Sequence, residues 1–329
     1  MALPSQTGRF YLPEHQSPAY YNLSRYLTES GWRSTRFRWR ADFSDSNFSF
    51  NPQAAQTLEY KHLLADLINR RCNWIMPATY CINDSNWPQI LTEVSAADQI
   101  WILKPALLNN GQHIKIFTSP EQIEQHFLSR NRLGGEHVLQ QYITNPYLLR
   151  DDRKFSIRLF LVLTDFAGAF LYRHGYFNVA CNRYNPENFI ELRPHLTNEH
   201  LYDSESNVIQ IPSDRFDFFP SLYDQIRQIT VNLMQALQGD FPNLFSQKEQ
   251  KNIALFGMDF MLDANSKVWL LEANHGPCFP VEPTHPLQQW LYQGFWQALV
   301  RNIVQPLAFD RPIGLETALF EPVAVISDH

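Results

Sequence analysis

Apolar positions recur along this chain with two different periods, and the change from one to the other marks its elements. In residues 18–30, Tyr20, Leu23, Tyr26 and Leu27 fall on one helical face, which Gly31 stops. In residues 54–71, Tyr60, Leu63, Leu64, Leu67 and Ile68 predict a second amphipathic helix that also carries Lys61. Between them, residues 32–40 alternate arginine with aromatic or small residues. As a strand they would put several arginines on one face, to meet an acidic partner segment or a nucleotide phosphate, or simply solvent. Residues 43–53 read as loop, and Trp74, Ile75, Met76 and Pro77 as an extended, proline-bounded segment.

The middle of the chain reads as a small α+β unit. Residues 101–105 predict a buried strand ending in Lys104 and Pro105. Residues 109–117 predict a turn around Gly111 followed by an alternating strand. Ser119, Pro120 and Glu121 supply an N-cap, an N1 proline and a first-turn acid for a helix to about Ser129. Residues 138–143 predict another strand, broken at Asn145 and Pro146. Further on, Lys154, Ser156 and Arg158 share one face of a strand over 154–163, a cationic patch on a sheet. A turn at 164–168 leads to a second strand over 169–177. Leu222, Ile226, Ile229, Leu233, Met234 and Leu237 predict a helix, as do Leu287, Trp290, Leu291, Phe295, Leu299 and Ile303 near the C-terminal end.

The densest chemistry lies in one hairpin. Apolar runs over 255–263 and 268–274 flank Ala264, Asn265, Ser266 and Lys267, so two antiparallel strands are expected. With Asn265 and Ser266 as a two-residue loop, Asp259 falls opposite Glu272, and Asn274 shares the face of Glu272 roughly 7 Å along the strand. Two buried carboxylates without a cation would each cost several kcal/mol, on the order of the desolvation of a buried ion. A hard divalent cation such as Mg²⁺, held by Asp259, Glu272 and Asn274 and completed by water and phosphate oxygens, removes that conflict.

Composition narrows the classes. A chain of 329 residues with 44% hydrophobic and 18% charged residues is globular and long enough for two or three packed subdomains. A net charge of -6 argues against nucleic acid as a partner. Cys72, Cys81, Cys181 and Cys278 show no CxxC spacing, so reduced thiols in a soluble, cytoplasmic chain are expected. No run approaches the ~18 apolar residues of a membrane span, and the first residues lack a signal-peptide core, so no membrane association is expected. With only 12 glycines and no GxxxxGK[ST], a long phosphate loop is not expected.

Taken together and in order, WILKP, LQQYI, RKFSIRLFLVLT, LYRHGY, HLTN, FGMDFMLD and VWLLEANHGP resemble the tubulin tyrosine ligase family, over about residues 19–298. The resemblance implies an α/β (α+β) ATP-grasp fold of mixed and antiparallel sheets flanked by helices. Its subdomains would be N-terminal (1–80), central (81–143) and C-terminal, catalytic (144–329). It implies ATP and Mg²⁺ as cofactors, Lys104 and Lys154 on the phosphates, and Lys61 as a further cation. Gln140, Gln141, Tyr142 and Ile143 would line the adenine pocket, mainly through the backbone of Gln141 and Tyr142. Gly111 would belong to the glycine loop, and His195, Leu196, Thr197 and Asn198 would border the nucleotide and acceptor. Arg158 would stabilise charge on the transferring phosphoryl group, next to Glu272 and Asn274.

The implied activity is an ATP-dependent carboxylate–amine ligase that joins a free amino acid to a protein or peptide carboxylate, with tubulin one such acceptor. A catalytically degenerate nucleotide-binding module and a ligase for a small metabolite are the alternatives. No kinase motif set occurs. Three positions depart from the family pattern. Ser156 replaces the aspartate of KFDIR, Asn178 stands where a substrate-facing arginine is expected, and His113 replaces a second glycine. Arg173, Arg183 and Arg193 are the candidates to replace the missing charge.

Overall fold

The computed structural model describes residues 7–96, 99–109, 111–201, 205–246, 250–313 and 319–325. Asn110, part of the expected turn, lies outside them. The first segment builds a three-stranded parallel sheet from β1 (Arg9–Tyr11), β2 (Arg33–Ser34) and β3 (Phe43–Ser44), with α1 (Pro18–Glu29) between the first two. The basic stretch is therefore not one strand: β2 ends at Ser34 and a 3-10 turn takes Arg38–Arg40, so its arginines do not share a face. Arg40 instead stacks over the rings of Trp39 and Phe37, at 4.6 and 5.3 Å.

The single helix expected over 54–71 is two, α2 (Pro52–Glu59) and α3 (Lys61–Arg71). Asn51 caps the first, accepting from the N–H groups of Gln53 and Ala54. Tyr60, extended at ψ 118°, breaks the run, because the Lys61 N–H turns outward to the Ala106 carbonyl at 3.3 Å. The break places Lys61 at a helix start, beside the next sheet.

That sheet is four-stranded and antiparallel: β4 (Thr79–Ile82), β5 (Trp101–Pro105), β6 (Lys115–Phe117) and β7 (His137–Gln141), in the order β4-β7-β5-β6. The boundary expected at residue 80 falls inside β4. Helices α4 (Trp87–Ser95) and α5 (Pro120–Leu128) cover one face, packing on Trp101, Leu103 and Leu139. Period two then turns Ile102, Lys104 and Gln140 to the other face.

The larger sheet contains β8 (Arg153–Thr164), β9 (Gly168–Arg183), β10 (Val208–Pro212), β11 (Ile253–Leu262), β12 (Val268–His275) and β13 (Phe320–Val325). Its order is β10-β9-β8-β11-β12, with β13 also on β9. Helices α2, α3 and α6 (Phe219–Asp240) cover one face, against Ile157, Leu159, Met258 and Phe260. On the other face, α1 and a C-terminal helical run pack on Phe160, Val162 and Leu255. That run joins π turns at Gln288–Tyr292 and Val300–Val304 to α7 (Gln293–Leu299) and α8 (Gln305–Ala308). With both faces covered, β11 is buried at every position, so its sequence is a continuous apolar run rather than an alternating one. The helical cover on the second face stops short of Lys154, Ser156, Arg158 and Asp259. There this sheet and the four-stranded sheet look at each other across a cleft.

Candidate active site

The β11–β12 hairpin sets the acid residues of the cleft, by a route different from the expected one. The turn is not the two-residue loop Asn265–Ser266. Asp263 and Lys267 close it, with the Asp263 N–H on the Lys267 carbonyl at 3.0 Å and the Ser266 N–H on the Asp263 carbonyl at 3.0 Å. Ser266 takes the left-handed φ of 63° that a three-residue hairpin loop requires. The register then runs through Leu262↔Val268 and Phe260↔Leu270, and a bulge at Leu271 shifts it by one to Asp259↔Glu272. Phe260 and Leu270 stay in the core, whereas Asp259, Glu272 and Asn274 face the cleft. Without the extra residue, Glu272 would share the face of Leu270.

Asn274 donates through Nδ2 to Asp259 Oδ2 at 3.1 Å and to Glu272 Oε1 at 3.2 Å, drawing the three oxygen-bearing groups together. Arg158, paired with Asp259 on the neighbouring strand, donates from Nε and Nη2 to the two Asp259 oxygens at 2.5 and 2.6 Å. Lys61 Nζ lies 3.5 Å from Glu272 Oε2 and donates to the Leu108 carbonyl at 2.9 Å. Arg158 and Lys61 thus place positive charge beside the two buried carboxylates. Burial raises the Asp259 carboxyl to about 6 against the pull of Arg158. Burial also acts to raise Glu272, but Lys61 and Lys104 outweigh it and hold Glu272 at about 2.

The other lysines are held by buried neutral partners. Lys104 Nζ donates to Gln140 Oε1 at 2.7 Å, and Gln140 Nε2 in turn donates to Thr79 Oγ1 at 2.9 Å. Lys154, 2% exposed, donates to Tyr142 Oη at 2.9 Å. Tyr142 Oη lies 2.9 Å from His195 Nδ1, and His195 Nε2 lies 2.8 Å from the Asn188 carbonyl. Burial lowers His195 from its ordinary value, and the neutral ring fits this chain by donating from Nε2 to the carbonyl and accepting at Nδ1 from the phenol. Burial lowers Lys104 to about 8 and Lys154 to about 7, and the nearby Lys104 charge adds to the effect on Lys154.

Lys61, Lys104, Lys154, Arg158, Asp259, Glu272 and Asn274 line one cavity of about 440 Å³. Gly111, Gln140, Gln141, Tyr142, Ile143, His195, Leu196, Thr197 and Asn198 line it as well. The backbone N–H donors of Gln141 and Tyr142 are used internally, on the carbonyls of Ala78 (2.7 Å) and Ile100 (2.8 Å). Gly111 has φ 70°, and a Cβ there would lie 2.8 Å from Leu201 Cδ2. His113 also adopts a left-handed φ, 55°, although it carries a side chain. Arg173, Arg183 and Arg193 are not among the described residues that line the cavity, and Arg173 is spent on Glu321 at 3.2 Å. Thr79, Tyr176, Asn207 and Gln210 belong to the site or its support, with no local sequence signal to mark them. Asn207, for instance, holds the Leu196 carbonyl at 2.7 Å from a loop eleven residues on.

The family description "Tubulin-tyrosine ligase family" matches residues 40–217 and 218–312, most of the chain. The chain belongs to the tubulin-tyrosine ligase family. Within it, a probable tubulin polyglutamylase of Caenorhabditis elegans is 29% identical over 197 residues, 55% of this chain and 46% of the relative. Tubulin glycylase 3C of Tetrahymena thermophila is 25% identical over 64% of this chain and 21% of its own length. A human protein named an inactive polyglycylase is 28% identical over 63% of this chain and 35% of its own length. The chain therefore spans less than half the length of these tubulin-tyrosine ligase relatives.

Proposed function

We propose that this chain is an ATP- and Mg²⁺-dependent carboxylate–amine ligase that acts on a carboxylate of a protein or peptide. One observation carries the reading: Lys61, Lys104, Lys154 and Arg158 converge with Asp259, Glu272 and Asn274 in a single cavity between two sheets. A carboxylate oxygen attacks the γ-phosphorus of ATP, ADP leaves, and an acyl-phosphate forms. An amine nitrogen then attacks the acyl carbon, the carbon–oxygen bond to phosphate breaks, and the nitrogen loses a proton. Such chemistry asks the protein for positioning and for cations around the transferring oxygens more than for covalent help.

In this reading Lys104 and Lys154 bind the phosphates, Lys61 orients Glu272, and Arg158 faces the transferring group with the nitrogen not given to Asp259. Two carboxylates and an amide oxygen on one face are a donor set that fits a hard divalent cation. Asp259, Glu272 and Asn274 would hold Mg²⁺, which would supply positive charge to offset that of the nucleotide phosphates. Gln140 to Ile143 would border the base, and His195 to Asn198 the acceptor side. We take the chain as N-terminal (1–80), central (81–143) and C-terminal (144–329) subdomains, with the whole of β4 counted in the central one. The four cysteines are free, and we assign the protein to a reducing, cytoplasmic compartment.

The named relatives make tubulin the first acceptor to test and an amino acid the first amine. Incubation with Mg-ATP, tubulin or an acidic peptide, and amino acids should release ADP and phosphate and add mass to the acceptor. ATP binding without turnover across a broad acceptor panel would instead favour a non-catalytic nucleotide-binding module. The bidentate hold of Arg158 on Asp259 is the observation that keeps this second reading in play.

A further inference from the structure

Residues 184–198 follow β9 without forming a helix or a strand, and the last four of them line the cavity. Side-chain contacts hold this segment to the rest of the fold. Asn207 Nδ2 donates to the Leu196 carbonyl at 2.7 Å. Thr197 Oγ1 donates to Ser156 Oγ at 2.8 Å, beside Asn178 on the next strand. Both of these contacts run to neutral groups.

The contact made by His195 is of another kind. Phe189 stacks on its ring at 4.8 Å and Tyr184 meets it edge-on at 5.3 Å. Nε2 meets the Asn188 carbonyl at 2.8 Å and Nδ1 meets Tyr142 Oη at 2.9 Å, and the same phenol oxygen accepts from Lys154 Nζ at 2.9 Å. Three parts of the fold meet at this oxygen: Tyr142 directly follows β7 in the four-stranded sheet, Lys154 lies on β8 in the larger sheet, and His195 belongs to the segment. Tyr142 is 5% exposed, Lys154 2% and His195 1%, so water does not compete for these bonds.

A hydroxyl that accepts from an ammonium is polarised and donates more strongly. The bond from Lys154 therefore strengthens the one from Tyr142 to His195 and, through the ring, the one to Asn188. An ammonium has three donors, and the phenol takes one, which leaves two for phosphate oxygens. A polyphosphate on Lys154 fixes the position of the ammonium, and with it the phenol and the imidazole.

We propose that Tyr142 is a positioning residue whose hydroxyl ties the acceptor-side segment to the lysine on the nucleotide side, so that bound nucleotide holds residues 188–198 in place for the acceptor. This inference rests on the ligase reading and adds to it a link between two substrate sites. Tyr142 acts on the segment through His195.

Amide hydrogen exchange over residues 188–198, with and without a non-hydrolysable ATP analogue and Mg²⁺, reads the link. Its reporters include His195 and Leu196, whose N–H groups donate to the Leu192 carbonyl at 3.0 Å. Saturating analogue should slow exchange there by about fivefold or more, the lower end of a typical coupling between sites. Tyr142→Phe keeps the ring and removes the hydroxyl, whereas His195→Phe cuts the chain at its other end and leaves Lys154 on its phenol. Each variant, at analogue concentrations that saturate it, should lose the slowing; if one fails to fold, the other decides. Asn207→Ala frees the Leu196 carbonyl without touching the chain, and should speed exchange with and without analogue alike, keeping their ratio. Undiminished slowing in either Phe variant, its loss in Asn207→Ala, or none in an intact protein that binds the analogue overturns the link alone. So does a folded Phe variant that cannot be saturated, since that ring would then hold nucleotide rather than connect it to the segment. Absence of Mg-dependent analogue binding by the intact protein removes the ligase reading, and this inference with it.

Discussion

The ammonium nitrogen of Lys154 lies 2.9 Å from the phenol oxygen of Tyr142, which in turn meets His195 Nδ1 at the same distance. Lys154 has no acid within this chain of contacts, and burial lowers it to about 7. A bound polyphosphate favours the charged lysine, so nucleotide binding should take up a proton near and above neutral pH. Analogue affinity is expected to fall as pH rises from 7 to 9, by up to about tenfold per pH unit for one titrating lysine. Titrations in buffers of different ionisation enthalpy check it. An affinity flat across this range contradicts the placement of Lys154 against phosphate.

The same burial makes Lys154 a cost to the free protein. Below pH 7 folded and unfolded states are both protonated, and the folded state carries the buried charge. Between about 7 and the ordinary lysine value of 10.5 the unfolded state binds more protons, so stability rises with pH. Lys154→Met should therefore stabilise the protein by on the order of 1–3 kcal/mol at pH 6, by less at pH 10, and abolish nucleotide binding. Chemical denaturation at the two pH values, with nucleotide titration alongside, measures both.

Asp259 and Glu272 should respond differently to loss of charge. Asp259→Asn leaves Arg158 buried without its counter-ion and should destabilise the fold by roughly 3–5 kcal/mol. Glu272→Gln leaves Lys61 its bond to the Leu108 carbonyl and should preserve the fold. It should lower ligase turnover by about 10²-fold or more through lost charge stabilisation. Equal Tm loss in the two variants would contradict the division of labour seen in the contacts.

Ser266 occupies the left-handed position of the hairpin turn at φ 63°. Ser266→Gly removes the Cβ penalty there and should stabilise the protein by about 0.5–1 kcal/mol. A higher urea midpoint with an unchanged m-value is the expected reading.

The sequence by itself determined the elements with long, clean periods: α1, α6, the strand pair β8–β9 and the β11–β12 hairpin. It also put Asp259, Glu272 and Asn274 on one face, because two one-residue offsets cancel. The true turn holds one residue more than supposed, and the bulge at Leu271 shifts the register back. Short elements such as β4, β10 and β13 escaped, because a few residues carry too little periodicity to separate strand from loop.

Tertiary structure alone decided the partners. Periodicity states which face a side chain takes, but not what stands across from it. Only the folded chain could give Arg158 to Asp259, seat Lys154 on Tyr142, break a helix at Tyr60 so that Lys61 meets Glu272, and set Ser156 against Asn178. Each of those pairings joins residues far apart along the chain or depends on a close approach between segments. Their energies arise from desolvation at the contact, a quantity that no single segment of sequence contains.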